Sequence, residues 1–266
     1  MKHVVKIIAG WSNTGGSTEA FINLTNALNN VCIDTTFYGP HDYHLNKCKA
    51  DKLDNLKGIS SSEIVICHFL RLNQRLPCRK VILNCHEKDI FQLKSVHKYW
   101  DSVVFLNENQ RKYHDYTGKY DIIPNIKQTF DVIDKADKAD KDLVAGIIGT
   151  IDRNKQVDVS IKRAIADGCE KVLLFGEIRD QDYFYQSIAP LLSDNVLFIG
   201  YVPDKQKMYN RIGRVYHSSI SEVASLVQDE CDSTGTKFFG NDATIRNEVK
   251  LSNQEILDKW IKLFEE

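Results

Sequence analysis

Short apolar runs alternate with helical patterns along the whole chain. In the first half, the runs at residues 4–9, 35–38, 63–67, 80–84 and 102–106 have the length and composition of buried strands. Between the first two, Phe21, Leu24, Thr25 and Leu28 form an apolar stripe, which predicts a helix over residues 17–29. Strand and helix alternation of this kind predicts a parallel sheet with right-handed crossovers.

The second half repeats this order. It predicts strands at residues 143–149, 171–175, 196–199 and 214–216, with helices at 157–167, 181–192 and 204–212. A charged repeat at residues 134–142 has almost nothing to bury and is typical of a linker.

The predicted fold class is therefore α/β, with two Rossmann-like doubly wound domains facing a cleft. The predicted domains are an N-terminal domain (1–130), a linker (131–142), a C-terminal domain (143–252) and a terminal helix (253–266). The terminal helix is expected to pack on one domain or to bridge both. Ligands of such sheets bind beyond the carboxyl ends of the strands.

Composition narrows the class of protein. With 266 residues, 42% apolar and 27% charged, the chain has the composition of two ordinary globular domains, and no run reaches the length of a membrane span. The N-terminus is too short and polar for a signal peptide, so we expect a cytoplasmic protein. A net charge of −1 argues against binding nucleic acid mainly by bulk charge, although it leaves room for a local basic groove. Seven scattered cysteines without a Cys-x-x-Cys pair indicate neither a disulfide framework nor a zinc site.

The exit of the first predicted strand reads Gly10-Trp11-Ser12-Asn13-Thr14-Gly15-Gly16-Ser17. Gly15 and Gly16 would let a ligand approach the backbone, and Ser17 is predicted to cap the following helix. A helix N-terminus in this place suits an anion.

The equivalent exit in the second half runs from Gly149 through Thr150 and Arg153 to Lys155. The positive charges of Arg153 and Lys155 interact unfavourably with the positive end of the helix dipole. A bound diphosphate or screening by solvent would offset this interaction. The next strand exit, Gly176-Glu177, could lie beneath a nucleotide base. The Asp-x-Asp pattern at 180–182 opens a helix, where capping explains carboxylates better than a metal does, so no metal ligand is assigned.

His68 and His86 each end a predicted strand. Either would face the cleft, as a general acid or base or as a structural residue.

Two glutamates, Glu222 and Glu230, are separated by seven residues. From Val223 onward the pattern is helical, and Glu230 shares a face with Val223, Leu226 and Val227, so a carboxylate points inward. Such a group needs partners or must tilt out to water.

Together these residues resemble the retaining glycosyltransferase family 4, which has the two-domain GT-B fold. The match rests on residues 15–19, on Ile123-Pro124-Asn125, on residues 149–155 and on residues 222–236.

This resemblance implies a nucleotide-sugar donor, no cofactor or metal, and transfer with retention. Glu230 would hold the ribose, Glu222 the sugar ring and Lys155 the departing diphosphate, while His86 would lie near the reacting centre. The implied donor-binding set also contains Gly15, Gly16, Thr150, Arg153, Gly176, Glu177, Ser225 and Leu226. The implied acceptor-binding set is Trp11, Ser12, Asn13 and His68.

The chain also departs from the family pattern. Thr150 replaces the usual arginine, Ile126 the glycine after Pro-Asn, Val223-Ala224-Ser225 the Gly-Phe-Gly, and Lys237 the usual proline. These changes leave the sugar and the acceptor open.

Three functions therefore compete. The first is a glycosyltransferase acting on a glycan or small molecule. The second is a phage-type transferase acting on hydroxymethylated DNA bases, with Trp11, Tyr38 and Tyr43 around a flipped base. Its phosphate-binding face, or an ordinary solvated face, would contain Lys2, Lys47, Lys49, Lys52 and Lys57. The third is a catalytically silent nucleotide-sugar-binding module.

Overall fold

The computed structural model describes residues 3–12, 15–88, 99–132, 141–241 and 251–266. Contacts divide the chain into two units, residues 1–127 together with 246–266, and residues 128–245. Each unit has its own hydrophobic clusters on the two faces of one parallel sheet. The predicted α/β class with two parallel sheets is confirmed. The predicted linker lies largely outside the described residues.

The first unit contains a seven-stranded sheet in the order β3-β2-β1-β4-β5-β6-β7, and every pairing is parallel. The strands are β1 (Val4–Ala9), β2 (Asp34–Gly39), β3 (Ala50–Lys52), β4 (Ile64–His68), β5 (Lys80–Cys85), β6 (Ser102–Phe105) and β7 (Tyr120–Ile122). Helix α1 (Gly16–Asn30) follows β1, and α2 (Glu108–Tyr113) follows β6. The central strands are almost continuously apolar because both faces of the sheet are covered.

The second unit contains a five-stranded parallel sheet in the order β10-β9-β8-β11-β12. The strands are β8 (Val144–Ile148), β9 (Lys171–Phe175), β10 (Val196–Gly200), β11 (Arg214–Tyr216) and β12 (Lys237–Phe239). The helices are α3 (Val157–Ala166), α4 (Lys205–Tyr209) and α5 (Leu226–Thr234). The helix predicted over 181–192 is present as three consecutive helical segments, the α-helical Gln181–Tyr183, the π-helical Phe184–Ile188 and the 3-10 helical Ala189–Leu191.

The last helix, α6 (Asn253–Glu265), belongs to the first unit although it follows the second in sequence. Ile256, Trp260 and Phe264 are buried in that unit's core. Near the end of the helix, Lys80 Nζ donates to the carbonyl of Leu263. The helix therefore completes the first unit's packing.

When each sheet is numbered from its first strand, the five-stranded sheet has the same order, 3-2-1-4-5, as the first five strands of the seven-stranded sheet. Successive strands are added on one side of β1 in the first sheet and of β8 in the second, and then on the other side, beginning with β4 and β11. Such switch points separate the loops that leave two neighbouring strands, and they are where doubly wound sheets bind ligands. The loops after these four strands are therefore where ligands of such sheets bind.

Candidate functional site

The second unit's switch point brings together the loop after β8 and the loop after β11. The backbone N–H of Ile220 donates to the carbonyl of Asn154 (2.9 Å), and Asn154 Nδ2 donates to Ser219 Oγ (3.3 Å). Lys155 Nζ donates to Glu222 Oε2 (2.8 Å), adding a charged link between the same loops. The loops after β8 and β11 are thus joined by a network of direct contacts.

A third side chain completes this charged cluster. His217 follows β11 directly, is 4% exposed, and places Nε2 3.1 Å from Glu222 Oε2. Burial raises the pKa of Glu222, but the His217 hydrogen bond and the charge of Lys155 outweigh it and lower the pKa from 4.5 to about 2. Glu222 is therefore a carboxylate at physiological pH. It can accept hydrogen bonds but cannot donate a proton.

The neighbouring strand exits are built from glycines in conformations that other residues rarely adopt. Gly149 has φ +138° and Gly176 has φ +147°. A Cβ on Gly176 would lie 1.8 Å from the carbonyl oxygen of Gly149. The two exits therefore pass each other at a distance that only glycine permits. Glu177 also links the two strand exits, because its carbonyl accepts a hydrogen bond from the N–H of Ile151 (2.8 Å).

Arg153 and Thr150 have partners within the second unit. Arg153 Nε donates to Asp180 Oδ2 (3.0 Å), and Thr150 Oγ1 donates to Asp152 Oδ2 (2.7 Å). Asp180 also accepts from the N–H of Tyr183, as expected for the capping interpretation of the Asp-x-Asp pattern. Arg153 is largely exposed, so a bound anion could draw it from Asp180.

Glu230 is 4% exposed, as the predicted inward face requires. Its two oxygens have different partners: Lys205 Nζ donates to Oε1 (2.6 Å) and Tyr209 Oη to Oε2 (2.8 Å). Both partners come from α4. The sequence pattern alone did not predict these two partners.

The helix carrying Glu230 starts later than predicted. It begins at Leu226, and Val223 lies outside it. Ser225 is the N-cap, and its side chain accepts from the N–H of Gln228. The serine supplies a cap that the apolar spacing alone did not reveal. Direct contact of Ser225 or Leu226 with a donor stays a prediction.

In the first unit, the start of α1 also differs from the prediction. Gly15 is the N-cap and the helix begins at Gly16, so Ser17 is not the cap. Gly16 is exposed at this end of the helix. The interpretation of Gly15 and Gly16 as a close-approach segment stays a prediction.

Of the predicted acceptor-binding residues after β1, Trp11 is half exposed and contacts His41 edge to face (4.9 Å between ring centroids). Ser12 is fully buried, and its Oγ accepts from the N–H of His41 (3.0 Å). Ser12 thus ties the loops after β1 and β2 together and supports the ring on which Trp11 rests. Asn13 lies outside the described residues.

The two strand-end histidines lie next to each other, with ring centroids 5.3 Å apart. His68 is 2% exposed, with Nδ1 3.3 Å from the carbonyl of Asn84 and Nε2 3.3 Å from Glu87 Oε1. Burial, together with nearby His68, holds the pKa of His86 well below its usual 6.5, so His86 is neutral at physiological pH. Nε2 of His86 is buried without a hydrogen-bond partner among the described residues.

His86 lines a small pocket inside the first unit with Asn84, Asn125 and Trp260. Asn125 belongs to the Pro-Asn segment that carried part of the family resemblance. The structure therefore brings two separate predicted segments to one place, which the sequence could indicate only through the resemblance.

Three lysines of the suggested phosphate-binding face are ion-paired. Lys47 pairs with Glu19 (2.9 Å), Lys52 with Asp42 (2.9 Å), and Lys49 with Asp34. Their charge is offset locally, as expected for an ordinary solvated face. Lys2 lies outside the described residues.

At the second unit's switch point, sequence reasoning missed His217. Its signal was its position directly after a short apolar strand and five residues before Glu222. His68 and His86 were selected on that kind of placement, so the same rule would have found it.

A scan against protein-family models and a search of curated proteins both find no match for this chain. Solved structures do match. HepE from Anabaena, in complex with UDP and glucose, aligns with a TM-score of 0.67 at 13% identity, over 99% of this chain and 90% of HepE. AviGT4, a glycosyltransferase involved in avilamycin A biosynthesis, aligns with a TM-score of 0.65 at 11% identity, over 98% and 97% of the two chains.

TarM from S. aureus, solved as a point mutant with fondaparinux, α-GlcNAc-glycerol and UDP, aligns with a TM-score of 0.63 at 17% identity. That match covers 78% of this chain and 56% of TarM, so the chain spans little more than half the length of that protein. These likenesses define the fold of the chain as GT-B. In the described residues, no helix has both the length and the apolar character that crossing a membrane requires.

Proposed function

We propose that this chain is a glycosyltransferase that moves a sugar from a UDP-sugar to an acceptor hydroxyl. The observation that carries the proposal is the contact of Lys155 with Glu222 at the second switch point, 2.8 Å apart and beside the glycines of two strand exits. The GT-B neighbours support it, since HepE and TarM were solved with UDP.

The proposed chemistry follows from these charges. Departure of UDP places negative charge on the diphosphate, and a fixed ammonium at Lys155 would stabilise that charge as it develops. Glu222, as an ionised acceptor, would bind sugar hydroxyls, and Glu230 would bind the ribose. Retention of the anomeric configuration and independence from metal are part of the proposal by resemblance to the family 4 transferases.

On the acceptor side, we propose His86 as the group nearest the reacting hydroxyl and Trp11 as an acceptor contact. A neutral imidazole can accept a proton, which a protonated one cannot. Gly15 and Gly16 stay in the proposed donor-binding set by the same resemblance. An acceptor glycan or small molecule is preferred to modified DNA because Lys47, Lys49 and Lys52 are already paired.

The test is turnover of a panel of nucleotide sugars, with release of the nucleoside diphosphate as the readout, in the presence of glycan acceptors and of hydroxymethylated duplex DNA. Lys155→Ala should lower turnover of the preferred donor by about 10²- to 10³-fold, because it removes the cation that meets the leaving group. Lys162→Ala is the matched control, since Lys162 pairs with Asp158 on the exposed surface of α3 (3.2 Å).

Equal loss in the two lysine variants would contradict the assignment of Lys155. Tight UDP binding without turnover of any donor would indicate the silent binding module. Transfer confined to the hydroxymethylated DNA would indicate the DNA-modifying enzyme.

A further inference from the structure

Both donors to Glu222 bind the same carboxylate oxygen. Lys155 Nζ and His217 Nε2 lie 2.8 Å and 3.1 Å from Oε2, and Oε1 receives no hydrogen bond from the described part of the chain. A carboxylate oxygen can accept more than one hydrogen bond. One oxygen therefore holds the group in place, and the other is available to a ligand.

His217 is itself firmly placed. Its N–H donates to the carbonyl of Phe239 (3.0 Å), which continues the β11 and β12 ladder beyond the strand end. Its ring packs against Phe238 (5.9 Å between centroids). Since an ionised carboxylate only accepts, the proton of this contact is on Nε2 of His217. The imidazole is thus a donor fixed by the sheet.

The charged groups around this contact are few in the described structure. Lys155 approaches from the loop after β8, and Glu222 belongs to the same loop as the histidine. From α3, Arg163 donates to Ser218 Oγ (3.1 Å) and to the carbonyl of Gly240 (2.9 Å), so it binds the neighbouring residues instead of Glu222. The neighbouring strand contributes the uncharged ring of Phe238.

A diphosphate bound at Lys155 would compete with Glu222 for the ammonium. A carboxylate that loses its partner in a largely buried place is strongly destabilised and tends to move or take up a proton. His217 is the second donor already in contact with Glu222 Oε2.

We propose that His217 is a positioning residue that keeps Glu222 in place through Oε2 while Lys155 turns to the donor diphosphate, leaving Oε1 to accept a hydroxyl of the donor sugar. This inference rests on the proposed function for the identity of the ligand. The underlying claim, that His217 holds the carboxylate independently of Lys155, does not need turnover.

The experiment separates the two donors by titrating the Glu222 carboxyl with ¹³C NMR. In Lys155→Ala, the pKa of Glu222 should rise because the ammonium is removed, but the hydrogen bond from His217 should still oppose the effect of burial. Adding His217→Leu should raise this pKa by about one unit or more, since burial is then unopposed. Adding His217→Gln should prevent most of that rise, because the glutamine amide nitrogen occupies the same place along the side chain.

An unchanged Glu222 titration on adding His217→Leu would overturn the inference. If the double variants do not fold, proteins with histidine, leucine or glutamine at position 217 are compared with Lys155 present and with saturating UDP. The pKa of Glu222 should again be higher with leucine than with glutamine. There, equal titrations of the leucine and glutamine variants would overturn it.

Kinetics supply the second readout. His217→Leu should lower kcat by about 10-fold or more while UDP affinity stays within about twofold, and His217→Gln should recover most of kcat. Parallel loss of UDP affinity and kcat in both variants would instead indicate a merely structural role. Absence of turnover in the unmodified protein would count against the proposed glycosyltransferase, and the titration would still decide the role of His217.

Discussion

At the second unit's switch point, a lysine, a glutamate and a histidine meet in one hydrogen-bonded cluster, whereas the first unit's switch point presents Trp11 and the buried His68. The two sheets share the order of five strands and their parallel pairing. The chemistry at the two switch points is different: the second offers a cation and an ionised acceptor, and the first offers an exposed aromatic side chain and a buried imidazole. This difference fits a donor carrying a diphosphate on one unit and a neutral acceptor on the other.

The largest expected effect on stability comes from substitutions of backbone glycines at the two switch points. Gly176→Ala should destabilise the protein by about 3 kcal/mol or more, because it combines an overlap with the Gly149 carbonyl and a φ of +147°. Gly10→Ala should cost less. A Cβ there would lie 2.2 Å from the carbonyl oxygen of Phe69, but the backbone of Gly10 does not require glycine's φ. Urea unfolding measures both.

Gly58→Ala is the control for this series, since nothing lies within 4 Å of its added Cβ. It should change the free energy of unfolding by less than about 1 kcal/mol. If Gly10→Ala lowered the free energy of unfolding as much as Gly176→Ala, this would contradict the proposal that the backbone is more constrained at the second switch point than at the first.

The next effect is the pH dependence of stability that comes from Glu222 at the second unit's switch point. The pKa of Glu222 is lowered to about 2 from 4.5, so its ionised form stabilises the folded state above the unfolded value of 4.5, and that stabilisation is lost as the pH falls toward 2. From about pH 5 to about pH 3, the unmodified protein should lose about 2 kcal/mol more stability than Glu222→Gln.

Chemical unfolding at several pH values measures this difference. Parallel pH dependence of the two proteins would show that Glu222 is not held as a strongly stabilised carboxylate. Lys162→Ala removes an exposed partner of Asp158 and should change the pH dependence much less than Glu222→Gln, because the hydrogen bond from Tyr183 still lowers the pKa of Asp158.

The smallest effect is expected for acceptor binding at the first unit's switch point. Trp11→Ala should raise KM for the acceptor by about 10-fold, corresponding to the loss of one aromatic contact, without changing UDP affinity. Tyr113→Ala removes another exposed aromatic of the same unit and is the control. A loss of UDP affinity in Trp11→Ala would contradict the separation of roles between the two switch points.

Much of the fold could be predicted from the sequence because its central strands are buried on both faces and form uninterrupted apolar runs. The edge strands β3, β7 and β12 were missed, since each has three residues and lies at or near a sheet margin. Helix starts were less accurate. The α5 boundary depended on the Ser225 cap, and the α1 boundary on Gly15, and neither cap changes the apolar spacing.

The site was only partly predictable for a related reason. Lys155 and Glu222 could be selected from their places after strands, but their contact depends on β8 and β11 being neighbours in the sheet, which follows from topology. The partners of Glu230 on α4 and the contact of His217 with Glu222 depend on packing between segments far apart in sequence. No local pattern specifies them.

A crystal structure of the complex with UDP tests the proposed donor site most directly. We expect the diphosphate within hydrogen-bonding distance of Lys155 Nζ, beside the Gly149 and Gly176 strand exits, with Glu222 still in contact with His217. A nucleotide bound at the first unit's switch point, with the Lys155 to Glu222 contact undisturbed, would contradict it.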